Sequence, residues 1–134
     1  MSSFPKGKAL TEWQAELPAD VFSVCFQGGT EPPFSGAYND EKASGIFRCR
    51  CCQSPLFDSE HKFDSGSGWP SFFAPLDSVQ ILEKPDASHG MSRIEILCSQ
   101  CGSHLGHVFK DGPPPTGLRY CVNSLSLEFV PENI

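Results

Sequence analysis

Two Cys-x-x-Cys pairs, Cys49–Cys52 and Cys98–Cys101, stand 45 residues apart in a chain of 134 residues. A Cys-x-x-Cys turn presents two sulfurs about one ligand edge apart, and zinc takes four ligands in a tetrahedron. Each pair follows a predicted strand, so two strand-end turns facing each other would close a four-thiolate cage. A closed cage leaves no open position for substrate, so the metal is structural. The gap exceeds the usual zinc-ribbon spacing, which implies a body of sheet inserted between the knuckles. A single pair would equally suit a redox couple or buried thiols; two favour one bound zinc. Cys51 could replace Cys52 as the partner of Cys49, but the i, i+3 knuckle is the better geometry and leaves Cys51 a bystander.

Composition narrows the rest. The seven cysteines are odd in number, so a complete set of internal disulfides is excluded. Met1–Leu10 has no apolar core of the kind that opens a secretory signal. A reducing compartment, the cytoplasm, is therefore expected, where clustered cysteines bind metal or do redox chemistry. The net charge of −6 argues against a sequence-independent nucleic-acid binder. No run of apolar residues exceeds three, which excludes a membrane-spanning helix.

Length, and the lack of repeats or charge blocks, predict one domain over residues 1–134. An N-terminal arm of about 1–44 precedes a β body of about 45–130. Thr11 and Gln14 have capping-box spacing, predicting a helix over Glu12–Leu17. Pro18 ends it and opens a second turn, Ala19–Phe22. Gly28–Gly36 (GGTEPPFSG) is a loop wrapping the body. Alternation of apolar and polar residues predicts strands at Gly45–Cys49, Pro55–Phe57, Val79–Lys84, Ser92–Cys98, Gly106–Phe109, Leu118–Val122 and Leu125–Val130. With twelve glycines and twelve prolines between them, the expected class is mainly β: antiparallel sheets in a barrel-like body with short N-terminal helices.

A second constellation begins where the second knuckle ends, so the metal would fix the start of the segment that carries its histidines. Cys121 lies in GLRYCVNS, read as a strand whose one face presents Arg119, Cys121 and Asn123. A cation beside a thiol favours the reactive thiolate. His104 and His107 follow the second knuckle in CGSHLGHVF. On a regular strand they would face opposite ways, but Gly106 allows a bulge or tight bend that could turn both to one side. A thiol served by histidine and asparagine is a nucleophile arrangement, although either histidine alone is as easily a packing residue. His61 and His89 are read as packing residues. Trp69, in GWPSF, is either a core aromatic or a wall for a small apolar group of substrate.

The ordered set CxxC, DSGSGWPSF, RIEI, CxxC, HLGHVF and DGPPPTGLRYCVNS resembles the type B methionine sulfoxide reductases, from about Leu10 to Val130. TEPPFSG at Thr30–Gly36 fits as well. The resemblance implies two antiparallel sheets and a structural zinc on Cys49, Cys52, Cys98 and Cys101. It implies reduction of methionine R-sulfoxide, free or in proteins. Its nucleophile falls on Cys121, its acid and hydrogen-bonding residues on His104, His107 and Asn123, and its methyl-binding aromatic on Trp69. Glu95 and Arg119 complete the substrate side.

The family's recycling cysteine, often in the glycine turn before the tryptophan, is here Ser67. A serine forms no disulfide. Cys25, beside the hinge-like Gly28–Gly29, is then the expected resolving thiol, with Cys51 or no internal thiol as alternatives. Thioredoxin is the expected reductant, and the chain is expected to act as a monomer. Two other classes compete. A zinc-ribbon adaptor explains the four cysteines but not RYCVNS, the histidine pair or the tryptophan turn. A cysteine hydrolase would need an oxyanion hole, for which no sequence signal exists.

Overall fold

The computed structural model describes residues 4–77, 80–87, 90 and 92–132. Among the described residues two short helices, α1 (Leu10–Glu16) and α2 (Ala19–Phe26), precede nine strands. These are β1 (Gly45–Cys49), β2 (Pro55–Asp58), β3 (Lys62–Phe63), β4 (Ser71–Phe72), β5 (Ile81–Asp86), β6 (Arg93–Cys98), β7 (His104–Phe109), β8 (Arg119–Val122) and β9 (Leu127–Pro131). Single 3-10 turns at Ser59–His61 and Ser124–Ser126 join β2 to β3 and β8 to β9. The strands form two antiparallel sheets, β2-β1-β9 and β3-β4-β8-β7-β6-β5. The predicted class, mainly β with two antiparallel sheets, is the one observed. No helix among the described residues is long and apolar enough to cross a membrane.

The apolar faces meet between the sheets. Phe57 of the small sheet stacks on Phe72 of the large one, with centroids 4.3 Å apart and planes 14° off parallel. Phe47 closes edge-on against Phe72 at 5.2 Å. All three are fully buried, as are Leu56, Ile96, Leu105 and Val122. Each such side chain contributes roughly 1.5–3 kcal/mol of burial, which makes this layer the main adhesive of the fold. Pro85 sits in β5, an outer strand of the large sheet, where its missing N–H costs no ladder bond.

Several boundaries differ from the sequence expectation. The first helix starts two residues early, with Ala9 at its N-cap and no side-chain cap bond. Thr11 is therefore already inside the first turn and the proposed capping box does not form. The second helix runs one turn further, to Phe26, because Val21, Phe22, Val24 and Cys25 supply a continuous buried face. Trp13 stacks on Phe26 at 5.3 Å and ties the two helices together. Leu125 belongs to a 3-10 turn rather than to the last strand. The two-residue strands β3 and β4 were too short to show any alternation. Val79, where a predicted strand begins, and His89 lie outside the described residues.

Candidate active site

The metal centre follows from two matching turns. Cys49 ends β1 and Cys98 ends β6, so each sheet contributes one knuckle. In each, the residue four places on, Gln53 or Gly102, has positive φ and donates its N–H to the carbonyl of the first cysteine at 2.8 Å. The four sulfurs of Cys49, Cys52, Cys98 and Cys101 all lie within 4.8 Å of one another. Two edges of that cluster, Cys49–Cys101 and Cys52–Cys98, measure 3.6 Å. Tetrahedral thiolates at about 2.3 Å from zinc would stand about 3.8 Å apart. The donor set and its spacing thus fit a metal ion. The Ser103 and Ser54 hydroxyls lie 3.3 Å and 3.2 Å from Cys49 and Cys52, placed to support sulfurs that carry charge. Cys51 is not among the four.

The second knuckle leads directly into β7, and β7 is irregular. Ile96 pairs with Gly106 but Leu97 pairs with His104, so Leu105 is an extra residue on that strand. This bulge puts His104 and His107 on the same side, their rings 5.6 Å apart. Gly106 is required here for a second reason. A Cβ at this position would run into the Cys121 carbonyl oxygen, so only glycine lets β7 and β8 approach this closely.

Across the large sheet one row of paired residues crosses four strands. Ser71 of β4 faces Cys121 of β8, Cys121 faces His107 of β7, and His107 faces Glu95 of β6. Directly paired residues share a face, so this register alone sets thiol, imidazole and carboxylate side by side. Glu95 bonds the neighbouring His104, Oε2 to Nδ1 at 2.6 Å. His107 Nε2 bonds Asp86 Oδ2 at 2.8 Å. Each imidazole is therefore fixed by its own carboxylate.

These groups open on a cavity of about 330 Å3, whose walls include His104, His107, Arg119, Cys121, Asn123 and Trp69. Trp69 is half-buried, and its Nε1–H donates to the Glu31 carbonyl at 3.0 Å. Asn123 follows β8 and is buried; its Nδ2 donates to the Leu105 carbonyl at 3.2 Å. The Ser67 hydroxyl lies 3.9 Å from the Cys121 sulfur.

Arg119 acts on the Cys121 thiol in the expected direction, but burial acts more strongly against it. Burial pushes the Cys121 thiol up, and the lowering by Ser67 and Arg119 does not overcome it. Arg119 also has other partners. Its Nε bonds Asp111 at 2.9 Å and its guanidinium lies 4.3 Å from the Phe109 ring. Burial likewise holds His104 below its ordinary value, against the raising effect of Glu95.

Cys25 stands apart from the cavity walls. It lies in α2 with 2% of its surface exposed, its Sγ 3.8 Å from the Ser126 hydroxyl. It lies on the N-terminal arm just before the Gly28–Gly29 turn, as read from the sequence, but within a helix and buried. Glu31, Asp86 and Arg93 belong to the site or its support; the first and last stand in TEPPFSG and RIEI without a role read for them, and no motif contains Asp86. Asp86 and Arg93 are partners in the β5–β6 register, a pairing visible only once that hairpin is aligned.

The site is thus a thiol, two carboxylate-bound imidazoles and an indole wall around one cavity. The model of the SelR domain family matches residues 17–131. The chain belongs to this family of type B methionine sulfoxide reductases. A peptide methionine sulfoxide reductase MsrB of Pseudomonas putida strain W619 is 57% identical over 126 residues, covering 94% of this chain and 95% of the relative. MsrB proteins of Pseudomonas savastanoi pv. phaseolicola and Pseudomonas syringae pv. syringae are 57% and 56% identical, over 92% and 94% of this chain and 95% and 96% of theirs. For such a reductase, the row on the large sheet is the candidate site of the chemistry.

Proposed function

We propose that this chain reduces the R epimer of methionine sulfoxide, free or within proteins, using Cys121 as the nucleophile. The observation that carries the reading is the row Cys121–His107–Glu95 beside His104, opening on a cavity walled by Trp69. The Cys121 thiolate attacks the sulfoxide sulfur. An imidazolium, His104 or His107, protonates the oxygen as its bond to that sulfur breaks. The oxygen ends on Cys121, which becomes a sulfenic acid while methionine leaves, so the two-electron reduction of substrate balances the oxidation of the thiol. Trp69 seats the methyl group on one side, and the imidazoles and Asn123 take the oxygen on the other. Only one hand of the sulfur satisfies both while presenting itself to the thiol. Glu95 acts through His104, and Arg119 draws the thiol towards its charged form.

The metal held by Cys49, Cys52, Cys98 and Cys101 is zinc in this reading and has a structural role. A thiol then condenses with the sulfenic acid, releasing water, and the resulting disulfide is reduced by exchange with thioredoxin. Cys25 can supply that thiol only if α2 opens and Ser126 releases it. The burial of Cys25 favours the second route, in which the external dithiol attacks Cys121 directly. The protein works as a cytoplasmic monomer in this proposal.

The test is a peptide mass map after reduced protein meets excess methionine R-sulfoxide with no reductant. Oxidation at Cys121 with one methionine released is expected, and Cys121→Ser should release none. A Cys25–Cys121 cross-link would establish the internal route, and a sulfenic acid with Cys25 free the direct one. An unmodified Cys121 would overturn the enzyme reading and leave a metal-stabilised binding module.

A further inference from the structure

Glu31 lies in the loop that wraps the body, yet it is 4% exposed, an unusual place for a carboxylate. Its main chain serves two cavity residues at once. The Glu31 N–H donates to Asn123 Oδ1 at 3.2 Å, which orients the amide. The Glu31 carbonyl accepts the Trp69 indole N–H at 3.0 Å, which orients the ring. Its side chain anchors the loop to the 3-10 turn that follows the nucleophile strand: Oε1 accepts the Leu125 N–H at 2.9 Å. Oε2 is buried and makes no hydrogen bond. Leaving a carboxylate oxygen unsatisfied costs stability, and an apolar anchor would avoid that cost. Packing alone therefore does not explain this residue.

We propose that Glu31 is a positioning residue, whose carboxylate pins the loop so that one peptide unit on either side of its Cα sets both the Trp69 wall and the Asn123 amide. The two groups that recognise the methyl and the oxygen are then placed by a single residue, and they move together or not at all. Thr30, next to it, lines the same cavity, so the pinned loop is also part of the wall. This inference rests on the reductase reading.

The test separates reach from charge. Glu31→Gln keeps an acceptor at the same distance from the Leu125 N–H, while Glu31→Asp keeps the charge but falls one methylene short. Steady-state rates are measured with free methionine R-sulfoxide and dithiothreitol as reductant. Glu31→Asp and Glu31→Ala should raise KM about tenfold, the factor that a loss of about 1.4 kcal/mol produces, with kcat reduced at most about threefold. Glu31→Gln should keep KM within about twofold of the parent. A merely structural role would lower thermal stability in all three with KM unchanged, and that result overturns the proposal. So does a Glu31→Asp protein with the parent's KM, which matters if the alanine variant fails to fold. Failure of the reductase reading itself is separate: Cys121→Ser would then retain the parent's turnover.

Discussion

At the scale of single residues, the site holds its groups in resting forms and lets neighbours adjust them. Burial holds His104 down while Glu95 raises it, so removing Glu95 lowers it further. The protonated imidazole then disappears at lower pH. Glu95→Gln should shift the alkaline limb of the kcat–pH profile to lower pH, with kcat at neutral pH down roughly tenfold, less than the about 10²–10⁴ of losing a general acid outright, because the imidazole remains and only its protonated fraction falls. An unmoved limb would assign proton donation to His107 instead. Ser67 offers a second test. Its hydroxyl lies 3.9 Å from the Cys121 sulfur, so a thiol there is near enough to meet it. Ser67→Cys should yield an internal disulfide after one turnover without reductant, seen as a cross-linked peptide and as the loss of two thiols by titration. A variant that stays uncrosslinked would mean the glycine turn cannot bring the two sulfurs together.

At the scale of elements, the bulge in β7 is the device on which the histidine pair depends. Gly106 lets the strand bend and lets β8 come close, with the Cys121 carbonyl where a side chain would be. Gly106→Ala should cost roughly 1–3 kcal/mol of stability by overpacking and lower activity more than its denaturation midpoint alone would explain. Urea unfolding combined with rate measurement under native conditions checks both. The bulge was legible in the sequence because i, i+3 histidines flanking a glycine have few other ways to cooperate. The knuckles were equally legible, since their spacing is local. The pinning of Trp69 by Glu31 and of His107 by Asp86 was not. These are contacts between segments 38 and 21 residues apart, set by loop path and register, and no local pattern encodes them. The early start of α1 escaped for a different reason: Trp13 stacking on Phe26 fixes the helix, so packing rather than a cap decides where it begins.

At the scale of the whole molecule, the two sheets are joined in two ways. The Phe57–Phe72 stack glues their faces, and the four-cysteine cluster ties the end of β1 to the end of β6. Metal removal should release the second tie while the aromatic layer persists. Cys101→Ser, or treatment with a strong chelator, is expected to lower Tm by more than about 10 °C, since loss of several kcal/mol moves a domain of this size by several degrees for each. Metal analysis should fall in step from one equivalent per chain. A full metal content with an unchanged Tm in Cys101→Ser would remove the cluster from the architecture. In the proposed mechanism the reaction runs along one row of the large sheet. Its members stand at positions 71, 121, 107 and 95, and they become neighbours only through the pairing of four strands. A chain still emerging from synthesis, or one opened by damage, possesses every reactive group and none of the reaction. Catalytic competence therefore arrives all at once with the closing of the sheet, and its loss is an immediate report that the sheet has come apart.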